Sequence, residues 1–166
     1  MRTLLLLLFL SGSMAAAAQK MIALTPFLQQ YGIYYSSDRV TSDGLGVGLG
    51  IHARHKTGVA GQMDVNLFWG CGNAVSTRLA LGYQRKGRWT PGAYATMNLL
   101  WGQRIEALDA EGNPPAMPAW AAGIRVTPLK FSTPHGFVSA LEIGAGLGPS
   151  KAVSLEVSIL SAGITF

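Results

Sequence analysis

Ten residues, Gly44–Ala53, limit what this chain can fold into more than any other stretch. They read Gly-Leu-Gly-Val-Gly-Leu-Gly-Ile-His-Ala. Leu45, Val47, Leu49, Ile51 and Ala53 share one parity; Gly44, Gly46, Gly48, Gly50 and His52 share the other. A strand sends successive side chains to opposite faces, so this segment has one apolar face and one nearly bare face. As a helix it would scatter the apolar groups around the axis, and its glycines would cost about 3–4 kcal/mol relative to Ala. A strand that is greasy on one side and minimal on the other suits the wall of a narrow barrel.

The alternation recurs along the chain. A first strand lies within Met21–Tyr35, with Pro26 marking a bend and Tyr31, Ile33 and Tyr35 on one parity. Gly44 to about His55 is the second, and Lys56–Gly58 a tight turn. The third sets Met63, Val65, Leu67 and Trp69 against Gln62, Asp64 and Asn66. The fourth puts Val75, Thr77, Leu79, Leu81 and Tyr83 outward and Ser76, Arg78, Ala80, Gly82 and Gln84 inward. The fifth runs from Trp89 to Trp101, with Tyr94, Thr96, Asn98 and Leu100 inward. Gln103–Pro118, charged and proline-rich, is the longest connection. The sixth places Trp120, Ala122, Ile124 and Val126 outward and Gly123, Arg125 and Thr127 inward. Pro128–Gly136 then reads as a link. The seventh puts Phe137, Ser139, Leu141, Ile143, Ala145 and Leu147 outward and Val138, Ala140, Glu142, Gly144 and Gly146 inward. The last, Lys151–Phe166, changes phase: Val153, Leu155, Val157 and Ile159 hold one parity, Leu160, Ala162, Ile164 and Phe166 the other. One extra residue near Ser158–Ser161 restores the alternation, which predicts a β-bulge there. The fold class is therefore all-β, an eight-stranded antiparallel up-and-down transmembrane β-barrel.

Export and composition point the same way. Arg2, the leucine-rich Thr3–Leu10 and the small residues Ala15–Ala18 form a secretory signal, too short in its apolar part to span a membrane. Cleavage after Ala18 divides the chain into a signal peptide, 1–18, and a barrel, 19–166. No Cys follows the small residues, which argues against a lipoprotein. Charged residues make up 13% of the chain, about half the usual share. The longest uncharged run after the signal, Met21–Ser37, contains Pro26, Gln29 and Gln30 and falls short of the ~20 apolar residues of a membrane helix. A low-charge, glycine-rich, exported chain satisfies its backbone in a membrane by closing a sheet. No Lys/Arg cluster interleaves with aromatics, so nucleic acid is not an expected partner. Cys71 stands alone and forms no internal disulfide.

Aromatic residues fall where interfacial girdles belong. With the N-terminus in the periplasm, Tyr35, Trp69, Trp101 and Trp120 gather at the outer rim. Tyr83, Trp89, Phe137 and Phe166 gather at the periplasmic rim. The signal peptide, the dyad alternation and the ending Leu160-Ser161-Ala162-Gly163-Ile164-Thr165-Phe166 resemble the small bacterial outer-membrane β-barrel proteins. These are the eight-stranded group that includes the OmpA transmembrane domain and OmpX. The resemblance implies residence in the outer membrane as a multi-pass barrel. It also implies partners in outer-membrane lipid and in the barrel assembly machinery, which would read the terminal Phe166. A monomer is expected.

The inward parity collects Asp64, Asn66, Arg78, Gln84, Asn98, Arg125, Glu142 and Glu156. With a turn at Pro149, Glu142 and Glu156 lie nearly opposite, and Arg125 beside them reaches both; Arg78 with Asp64 forms a second layer. We read Asp64, Arg78, Asn98, Arg125, Glu142 and Glu156 as a polar network filling an interior barely wide enough for its side chains. The corresponding role is structural, adhesive or interactive at the bacterial envelope. Two alternatives are a narrow porin-like channel for small solutes and a membrane-surface hydrolase acting on lipid A. For the hydrolase, His52, His55 and His135 all lie toward the periplasmic side, and only Ser132 and Ser139 lie near His135; a nucleophile and base need to come within about 3 Å. His52 and His55 have opposite parities, and no metal or cofactor is expected. The mixed-charge loop Arg104–Gly112 is the candidate for adhesion.

Overall fold

The computed structural model describes residues 18–35, 39–40, 44–70, 74–102, 118–149 and 152–165. Residues 1–17, where the export signal is expected, Cys71, the long connection 103–117 and Phe166 lie outside the described residues.

Twelve strand segments follow in order: β1 (Ala18–Tyr35), β2 (Arg39–Val40), β3 (Gly44–His55), β4 (Val59–Gly70), β5 (Ala74–Gln84), β6 (Gly92–Gly102), β7 (Ala119–Thr127), β8 (Lys130–Thr133), β9 (Gly136–Ser139), β10 (Glu142–Leu147), β11 (Val153–Ser158) and β12 (Ser161–Thr165). All pair antiparallel. β3 to β7 form an unbroken meander, and β10 and β11 continue it. β1 then closes the sheet, pairing with β3 along one edge and with β11 and β12 along the other. Because β7–β8, β9–β10 and β11–β12 each continue one another across a short break, the segments join into eight staves, with β2 a short addition to β1. The eight-stranded antiparallel up-and-down barrel is what the alternation called for.

The breaks are bulges, and they line up. Thr127 and Lys130 are both buried with two residues between them, as are Ser139 and Glu142, and Ser158 and Ser161. Each pair therefore holds one residue more than strict alternation allows. Hydrogen bonds join these points across neighbouring staves: Ala140 N to Leu129 O at 2.9 Å and Leu160 N to Ala140 O at 3.4 Å. On β1 the register against β3 shifts between Thr25 and Gln29, around Pro26. The bulge expected at Ser158–Ser161 is present at Ile159–Leu160. The other two correct the sequence reading. Pro128–Gly136 is no simple link, because it contains β8 and the tight turn is confined to Thr133–Gly136. The bulge at Ala140–Leu141 also reverses the phase of Phe137–Ser139: Phe137 and Ser139 are buried inside and Val138 and Ala140 face out. Phe137 thus leaves the girdle expected at this end, and the exposed Phe131 stands beside Trp89 in its place, joined by an isolated bridge.

Leu160 carries a positive φ of 66° to make its bulge. Left-handed backbone is unfavourable for L-residues and worst for β-branched ones. Leu160→Ile keeps the apolar area and is expected to lower stability by about 1 kcal/mol, read from the urea midpoint of the barrel refolded in detergent micelles; an unchanged midpoint would contradict the strain.

Outside and inside are inverted relative to a soluble protein. Leu49, Ile51, Leu67, Trp69, Leu81, Trp101, Trp120, Ile124 and Leu155 are exposed on the outer wall. Asp64, Arg78, Arg125, Lys130, Glu142 and Glu156 are buried in the interior. Trp69, Trp101 and Trp120 share one end, and Tyr83 and Trp89 the other, as the girdles require. Among the described residues no helix is long and apolar enough to cross a membrane.

The polar interior as candidate functional site

The interior is layered. Toward the end that holds the long connection, Phe68, Ala74, Leu100, Ala119 and Ala152 form a buried apolar cluster. Four of these are inward positions on β4, β5, β6 and β7, and Ala152 precedes β11. Beneath it lie the charged residues, placed by register: Asp64 opposite Arg78, Arg78 opposite Asn98, and Gly144 opposite both Arg125 and Glu156.

Two guanidinium groups join the acids across the bore. Arg78 donates to Asp64 Oδ2 from Nη2 at 2.6 Å and from Nε at 3.0 Å, and to Glu156 Oε2 from Nη1 at 3.1 Å. Arg125 pairs with Glu142 through Nη2, lies 3.8 Å from Glu156 Oε1 through Nε and 3.9 Å from Asp64 Oδ2 through Nη1, and donates to Gln62 Oε1 at 3.4 Å. Ser161 Oγ donates to Glu142 Oε1 at 2.6 Å. Arg125 therefore reaches both Glu142 and Glu156. Those two carboxylates are not face to face, since Glu142 stands opposite Ser158. Asn98 is buried within the same layer. The gap among Arg78, Arg125, Glu142, Glu156 and Ser158 is too small to hold a water molecule.

Glycines make this crowding possible. A methyl group added to Gly50 would strike the Asp64 carboxylate and stand 2.8 Å from the Met63 carbonyl oxygen. One added to Gly144 would strike the carboxylate of Glu156. The bare face of the opening motif thus makes room for Asp64 at Gly50 and for the Phe68 ring at Gly46.

The interior network extends beyond the six residues grouped from the sequence. His52 donates from Nε2 to Asp64 Oδ1 at 2.9 Å, and its ring stacks on Phe137 with centroids 5.3 Å apart. Lys130 is fully buried, with Nζ 3.9 Å from the centroid of the Phe137 ring. Tyr94 donates to Gln84 Oε1 at 3.1 Å, and Gln84 to Ser132 Oγ at 3.4 Å. His52 shares the parity of the glycines and was legible on that ground. Lys130 and Phe137 needed the bulges, which composition does not announce.

No protein-family model matches the chain, and no curated protein does. Solved structures do. Neisserial surface protein A superposes with a TM-score of 0.58 at 11% identity, over 90% of this chain and 97% of that one. The N-terminal β-barrel domain of Pseudomonas aeruginosa OprF superposes with a TM-score of 0.51 at 14% identity, over 90% of this chain and 99% of that one. The chain has the fold of the small outer-membrane β-barrels. Within that fold, the residues weighed for hydrolysis are dispersed. Ser132 points inward to Thr90, with hydroxyl oxygens 2.8 Å apart, and Ser139 Oγ donates to Leu141 O at 3.5 Å. His135 is exposed in the β8–β9 turn, its backbone N donating to Thr133 Oγ1 at 3.3 Å. His55 binds Thr57 Oγ1 through Nδ1 at 2.9 Å, on the opposite face from His52. Among the described residues, no three metal-binding side chains cluster.

Proposed function

We propose that this protein is exported by its 1–18 leader and resides in the outer membrane as a monomeric barrel with a filled lumen. Its role is structural or interactive at the envelope rather than that of a conduit. Outer-membrane lipid surrounds it, and the assembly machinery recognises its end at Phe166. The observation that carries this reading is the ion-paired layer of Arg78 and Arg125 with Asp64, Glu142 and Glu156, in which the gap among Arg78, Arg125, Glu142 and Glu156 is too small for water. The apolar cluster around Leu100 supports it as a second barrier. An eight-stranded barrel is only just wide enough to be filled by its side chains, which supports a lumen without an aqueous path. Partner contact then falls to the connections at the long-loop end, with Arg104–Gly112 the candidate.

The test joins conductance with loop deletion. The refolded barrel in a planar bilayer is expected to give no stepwise current, and a chain lacking residues 104–115 to keep its heat-modifiable gel migration while losing attachment to host-cell surfaces. Steady ion conductance would overturn the filled lumen. Undiminished attachment would overturn the adhesive role.

A further inference from the structure

Among the described residues, the turns at the short-turn end of the barrel are basic and carry no Asp or Glu. The turn residue Lys56 and the connection residues Arg85, Lys86 and Arg88 are all exposed there. The connections at this end, residues 55–59, 84–92 and 133–136, contain no Asp or Glu. The acids of the wall, Asp64, Glu142 and Glu156, are committed inside.

The two basic turns form one patch. Gly58 N donates to His55 O at 2.9 Å to close the first turn, and Gln84 N donates to Gly58 O at 2.8 Å, which holds that turn against the root of the second. The patch continues into an apolar wall. The Arg85 guanidinium lies over the Trp89 ring, 5.2 Å from its centroid, and Trp89 Nε1 donates to Pro128 O at 2.9 Å, fixing the indole. Phe131 and Leu129 are exposed beside it.

We propose that this rim is a docking surface for anionic phospholipid, the cations holding its phosphate headgroup and the Trp89–Phe131–Leu129 surface its glycerol and upper acyl region. Exposed cations attract an anionic surface within a Debye length of about 8–10 Å. An amphipathic aromatic beside them is the usual interfacial neighbour. A soluble polyanion would answer the charges and leave the adjoining apolar wall unmatched, which favours a lipid.

The full barrel, refolded in mixed micelles of phosphatidylcholine and phosphatidylglycerol, is examined by native mass spectrometry for retained lipid. Phosphatidylglycerol is expected to be retained in preference to phosphatidylcholine. Lys56→Gln/Arg85→Gln/Lys86→Gln/Arg88→Gln is expected to lower that retention roughly tenfold or more, with heat-modifiable migration intact. A smaller variant, Lys86→Gln/Arg88→Gln, is expected to lose part of it, and Lys151→Gln, far along the chain from these turns, none. Equal retention of the two lipids would overturn the proposal, as would undiminished retention by both rim variants. Sedimentation with peptidoglycan that the rim variants abolish, alongside unchanged lipid retention, would likewise overturn it in favour of a polymer.

Discussion

Arg125→Met is expected to cost the barrel about 3–5 kcal/mol, the usual penalty for removing one partner from a buried ion pair. Arg125 is fully buried and is the direct partner of Glu142. Its loss leaves that carboxylate with only the hydroxyl of Ser161. It also removes the guanidinium 3.8 Å from Glu156, whose remaining ion-pair partner is Arg78. Methionine fills much of the vacated volume, so the penalty is electrostatic rather than a void. Urea titration of the refolded protein, followed by heat-modifiable migration, reads the effect. The double variant Arg125→Met/Glu142→Gln is expected to recover a large share, because the stranded charge is then gone. A single variant with the wild-type midpoint would show that the pairing contributes nothing.

Gly50→Ala is expected to destabilise by about 1–3 kcal/mol, the range for forcing extra volume into a packed interior. The new methyl collides with the Asp64 carboxylate and crowds the Met63 carbonyl. The carboxylate must then leave His52 and Arg78, so one methyl group disturbs two hydrogen-bonded partners. Gly61→Ala is the matched control. Its methyl would stand 3.8 Å from the nearest atom, the Ala80 carbonyl oxygen, and it lies on the outward parity of β4. Its urea midpoint should stay within about 0.5 kcal/mol of wild type. Equal behaviour of the two variants would mean that the bare face of β3 is not there to accommodate Asp64.

These two sites show what was readable beforehand. Gly50 and Arg125 both announce themselves by parity, since a period of two separates lumen from lipid wherever a strand runs unbroken. That held for β3 to β7 and for both halves of the last stave, where the phase change was visible because apolar residues switch parity at Leu160. It failed between Pro128 and Leu141. There Phe137 is an apolar residue pointing inward, and Lys130 a cation placed by a bulge rather than by alternation. The network itself, in which Arg78 on β5 reaches Glu156 on β11, depends on closure of the sheet. Neighbouring-strand reasoning finds Asp64 beside Arg78 but has no view across the bore.

The seam has a kinetic consequence. β1 supplies one side of it and the last two segments the other, with Met21 opposite Thr165 and Tyr34 opposite Val153. Every other junction joins consecutive staves, so this is the contact of greatest sequence separation, and its entropic cost falls due only once nearly the whole chain is in place. Until then the nascent sheet carries two raw borders, each able to recruit a stranger. The slow step expected in closing this barrel is thus the meeting of β1 with β11 and β12.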